Sequence, residues 1–66
     1  MTPRQEINDL LNDAQTASDN GEYQTAIFNY SAAVALIKAA GDSIGASIIR
    51  SRITDLYALM VSEVAA

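Results

Sequence analysis

Apolar residues recur every three or four positions through three stretches of this chain, and glycines separate the stretches. In the first, Ile7, Leu10, Leu11, Ala14 and Ala17 share one helical face. Thr2 can cap that helix, Pro3 stands where a missing N–H costs nothing, and Gln5 completes a capping-box pattern. Asn20-Gly21 is its stop, so the spacing predicts a helix over 3–19. In the second stretch Tyr23, Ala26, Ile27, Tyr30, Ala33, Val34 and Ile37 form one stripe, which predicts a helix over about 22–40 ended by Gly41. The third can be capped by Asp42 or Ser43 and runs to about 64, with Ile49, Ile53, Leu56, Tyr57, Met60 and Val64 as its core stripe. Gly45 in its first turn costs at most about 1 kcal/mol against alanine. No stretch alternates with period two for long enough to suggest a strand. Loops this short force neighbouring helices antiparallel. The expected fold is all-α: one domain over 1–66, an antiparallel three-helix bundle made of a helical hairpin plus a third helix. The pattern leaves open whether that third helix packs within the chain or on a neighbour.

The polar side that a surface helix should have is missing from the second helix. Phe28, Ala32, Ala35, Leu36 and Ala39 make a second apolar stripe on its reverse, and Lys38 is the only charge between Tyr23 and Ala40. The third helix also carries a surplus, with Ile44, Ile48 and Leu59 away from its core stripe beside Arg52 and Asp55. A helix apolar on both sides normally lies inside something. These eight residues, Phe28, Ala32, Ala35, Leu36, Ala39, Ile44, Ile48 and Leu59, are the candidate partner-binding set.

Composition removes most alternatives. A chain of 66 residues buries only about 60% of the surface its unfolded form exposes, so its stability alone is marginal. Small scaffolds usually add disulfides, a metal or self-association. The chain has no cysteine and no histidine, which rules out disulfides, the usual zinc ligands, the commonest general base and the best nucleophile. No cofactor is expected. Ser51 between Arg50 and Arg52 is the nearest approach to a reactive setting, and a solvated helix face explains it better. Gly21, Gly41 and Gly45 punctuate helix ends and form no phosphate loop. An enzyme is not expected.

The net charge of −4 is concentrated: residues 1–22 hold five carboxylates against Arg4, while residues 23–66 are balanced. Four basic residues in an acidic chain argue against nucleic acid and against anionic membrane surfaces. No apolar run approaches the roughly 20 residues of a membrane span. The beginning of the chain lacks the pattern of a signal peptide, so a soluble, cytoplasmic or particle-enclosed protein is expected. Glu6, Asp9 and Asp13 share one side of the first helix at i, i+3, i+7. A solvated face favoured by the helix dipole accounts for them better than a divalent-cation site or a clamp for a basic partner. Arg50 and Arg52 are expected to pair with these carboxylates, at about 0–1 kcal/mol each when exposed.

The spacing Gly21-Glu22-Tyr23-x-x-Ala26-x-x-x-Tyr30-x-x-Ala33, with Ala14 at the small position of the first helix, resembles the central half of a tetratricopeptide repeat. The same second helix followed by Ile49-Arg50-Ser51-Arg52-x-x-x-Leu56-Tyr57 is similar to the microtubule-interacting and trafficking domain. That second resemblance implies a three-helix bundle whose grooves bind amphipathic helices of partner proteins. The functional expectation is a small interaction module that buries apolar helix faces against partner helices. Its rival is a structural subunit of a larger assembly, such as a phage particle, or a self-assembling helical oligomer. An acidic mimic that binds basic proteins through the first helix ranks last, since −4 is a modest charge.

Overall fold

The computed structural model describes residues 3–65, which form three α-helices: α1 (Pro3–Asp19), α2 (Tyr23–Ala39) and α3 (Ser43–Ala65). The chain is an all-α three-helix bundle, with α2 packed against both α1 and α3. Helix bounds follow the apolar periodicity to within one residue at each end. Thr2, the expected cap of α1, lies outside the described residues.

Both turns are the same device. At the end of α1 the Gly21 N–H donates to the Ser18 carbonyl at 3.1 Å, and the Glu22 N–H donates to the Ala17 carbonyl at 2.8 Å. At the end of α2 the Gly41 N–H donates to Lys38 at 3.0 Å and the Asp42 N–H to Ile37 at 3.1 Å. This paired pattern is the Schellman closure, and it needs a residue with positive φ at the glycine. Gly21 has φ 78° and Gly41 φ 86°. In each turn the acidic residue after the glycine then opens the next helix: the Glu22 carbonyl accepts from the Ala26 N–H, and the Asp42 carbonyl from the Ala46 N–H. Glu22 makes no side-chain cap, whereas Asp42 Oδ1 accepts the Gly45 N–H at 2.8 Å. Of the two residues expected to cap α3, Asp42 does so.

Alanines set the distance between helices. Ala14, Ala26 and Ala33 are the side chains with 0% exposure, one on α1 and two on α2. Around them Ile27, Tyr30, Val34, Ile37, Ile49 and Leu56 are buried, and Ile7, Leu10, Leu11, Tyr23, Ile53 and Met60 are half-buried against them. The stripes expected on α1 and α2 are therefore the ones that pack. That on α3 differs at two positions, since Tyr57 is 55% exposed and Val64 still more so. Tyr57 sits about 100° further round the helix than Leu56. The arc of α3 that faces α2 centres on Ile49, Ile53 and Leu56, which leaves Tyr57 at its edge beside Phe28. Val64 belongs to the last turns of α3, which at 23 residues outruns the 17 of α2 by about 9 Å.

The cross-section is flattened, 20 by 12 Å over a length of 41 Å. The radius of gyration of 12.2 Å exceeds the roughly 11 Å of a compact chain this long. The cause is that α1 and α3 barely touch. They lean on either side of α2 and leave a furrow between them.

Candidate protein-interaction site

The furrow is walled by α1 and α3 and floored by α2. Its upper half, a space of about 510 Å³, is lined by Ile7 and Leu11 from α1, Ile37 from α2, and Ile48 and Ile49 from α3. Arg4, Asn8 and Asp42 stand at its edges. Its lower half continues over Tyr30, Leu56 and Leu59, with Gln15, Ser18, Arg52 and Asp55 beside them. From Arg4 to Ser18 the α1 wall runs about 21 Å. The floor is apolar, and the edges carry charges of both signs.

The eight candidate residues do not make one surface. Ile48 and Leu59 line the furrow, and Ile44, one turn before Ile48, is 76% exposed on the same side of α3. Phe28, Ala32, Ala35, Leu36 and Ala39 lie on the outer side of α2, away from the furrow. Phe28 is 73% exposed there, Ala35 and Ala39 are exposed, and Ala32 and Leu36 are half-buried at the shoulder. Across the seam between α2 and α3, Phe28 shares a shallow depression with Tyr57, Met60, Ile27 and Ser31. Tyr57 and Val61, exposed on this second surface, are absent from the candidate set. Leu10 and Leu11 on α1 are the same step apart as Leu56 and Tyr57 and both pack, so the spacing alone does not single Tyr57 out.

The polar groups are solvated or serve the helices. The Ser51 hydroxyl donates to the Ser47 carbonyl at 3.3 Å and the Thr54 hydroxyl to the Arg50 carbonyl at 3.2 Å. Both are local back-bonds of exposed helix positions. Gln15 Nε2 donates to Asp19 Oδ1 at 3.0 Å. Among the described residues Glu6, Asp9 and Asp13 form no three-ligand metal group. Among the described residues the expected pairing of Arg50 and Arg52 with these carboxylates does not form. The reason is placement: Arg52 lies at the furrow beside Gln15 and Ser18, while the carboxylates occupy the other flank of α1. Among the described residues no helix is long and apolar enough to cross a membrane.

What fold and furrow define together is a class, a small all-α bundle with an open helix-lined groove. Comparison with protein-family models, curated proteins and solved structures returns no match for the chain.

Proposed function

We propose that the chain is a non-catalytic interaction module whose α1–α3 furrow takes up an amphipathic helix of another protein. The observation that carries this reading is the open seam. Two helix walls about 21 Å long stand apart over a floor of Ile37 and Tyr30, and Ile48 and Leu59 project beside it. A helix laid there would complete a four-helix packing and cover apolar side chains that a monomer has no other way to bury. Residues at i, i+3 or i+4, and i+7 of the incoming helix would meet the floor, and its flanks would meet Arg4, Asp42, Arg52 and Asp55. The resemblance to the microtubule-interacting and trafficking domain points to helix recognition as well.

The test is a display selection of helical peptides of about 16 residues, long enough to span the furrow, against the intact chain. Peptides with a single apolar stripe are expected, and Ile48→Asp or Leu59→Asp should weaken them at least about tenfold while Phe28→Asp leaves them bound. Peptides without such a stripe, or binding indifferent to both furrow variants, would refute the reading.

A further inference from the structure

The face opposite the furrow offers a second surface, independent of whatever occupies the groove. Phe28, Tyr57 and Val61 are exposed on it, and Val64 prolongs it at the end of α3. The two aromatic rings alone present roughly 200–300 Å². With the valines, Met60, Ala35 and Ala39, the face approaches the ~800 Å² per partner of a standard-size interface. Among the described residues only alanines reach full burial, and so thin a layer has most to gain from a second one.

Charge identifies what that layer is. The furrow side of α1 is Arg4, Ile7, Asn8, Leu11, Gln15 and Ser18, so Glu6, Asp9 and Asp13 stand on the flank toward the opposite face. At the other edge, Arg50 is two turns before Tyr57, and Lys38 is two turns after Ser31, both residues of the depression on that face. One edge is therefore acidic, the other basic, and the strip between them is apolar. Counted from the two turns, Asp9, Ala33 and Ile49 are level, which puts Arg50 at the height of Asp9 on the far edge.

We propose that two copies of this chain pair through these faces about a two-fold axis running along α2. This axis sets each α1 over its partner's α3, so that Glu6, Asp9 and Asp13 meet Lys38 and Arg50. A two-fold across α2 would instead set carboxylates against carboxylates. The chosen axis also makes the two α2 helices parallel, and Phe28, Ala32, Ala35 and Ala39 fall at the four-three-four spacing by which parallel helices pack. The three alanines allow close approach, and the two Phe28 rings meet near the axis.

Sedimentation of the full chain at about 100 μM, a concentration well above the dissociation constant of a standard-size interface, should show a species of twice the 7.0 kDa chain mass. Phe28→Asp should raise the dimer dissociation constant by about 30-fold or more, with helical circular dichroism unchanged, and Tyr57→Ser should act in the same direction. Arg50→Glu should weaken the dimer about tenfold, and adding Asp9→Arg should restore it. Ile48→Asp should leave it intact. A monomeric wild type, a dimer indifferent to Phe28→Asp, or one that Ile48→Asp alone dissociates would overturn the proposal. Rescue failing in the charge swap would overturn the parallel arrangement. Peptide uptake by the furrow is measured separately on Phe28→Asp, so the two readings fail independently.

Discussion

Replacing Gly45 with alanine should destabilise this protein, although helix propensity alone predicts the reverse. Gly→Ala within a helix gains up to about 1 kcal/mol, and about half of that near an end. Here, however, the Asp42 carboxylate folds over the first turn of α3 to accept the Gly45 N–H. A Cβ on Gly45 would lie 2.8 Å from Asp42 Cγ and nearer still to Oδ2. Alanine must therefore displace the cap, and losing an aspartate N-cap costs about 1 kcal/mol. The balance is a loss of about 0.5 kcal/mol for Gly45→Ala in the natural chain. In an Asp42→Ala background the obstruction is gone, and the same substitution should gain about 0.5 kcal/mol. The coupling between the two sites is thus about 1 kcal/mol, equivalent to roughly 4–8 °C in midpoint for a domain this size. Thermal and urea unfolding of the four chains, followed by far-UV circular dichroism, measures it directly. If Gly45→Ala stabilises both backgrounds equally, within about 0.3 kcal/mol, the two residues are independent and the reasoning is wrong.

Other substitutions test the turns and the core. Gly41→Ala should cost about 1–2 kcal/mol purely through backbone strain, since φ is 86° and a Cβ there meets nothing within 4 Å; urea midpoints read the loss. Ala33→Leu should cost about 1–3 kcal/mol by overpacking a position with 0% exposure, and retained stability would mean that α2 can move away from its neighbours. Leu56→Ala should cost about 2–5 kcal/mol, whereas Tyr57→Ala, compared in the Phe28→Asp background to keep the chain monomeric, should stay within about 0.5 kcal/mol.

The helices were legible because local signals and tertiary demand agree. The stripe from Tyr23 to Ile37 is the face α2 buries, and Gly21 and Gly41 end their helices as the spacing predicts. What periodicity could not convey is the relation between α1 and α3. Stripe width reports how much of a helix is covered only if the number of neighbours is known. A closed triangle would have covered Ile48 and Leu59 on the side of α3 toward α1, while the open arrangement leaves them exposed. The same ignorance left the candidate residues as one undivided set. Ile48 and Phe28 both read as apolar surplus, and only the placement of α3 relative to α1 sends the first to the furrow and the second to the opposite side. The Asp42–Gly45 relation was hidden for another reason. Gly45 looks like a defect in a helix until the carboxylate lying over it is seen.

The double apolar character of α2 and the opening of the furrow have a common origin. Alanines at positions 26 and 33 bring α2 close to its neighbours on one side, and Ala32, Ala35 and Ala39 leave Phe28 and Leu36 as the large side chains of the other. Toward the gap between α1 and α3 the helix presents Tyr30 and Ile37, which floor the furrow without filling it. Phe28 stands on the side away from the furrow. Enlarging the floor should therefore close the groove without unfolding the bundle. Ile37→Phe would place a ring where Ile7, Leu11 and Ile48 now face open space, at little cost in stability because the added atoms enter a void. The variant should unfold within about 1 kcal/mol of the natural chain and lose the furrow-selected peptides, while the Phe28 face keeps its pairing. Peptide affinity unchanged in Ile37→Phe would place the binding surface elsewhere on the bundle.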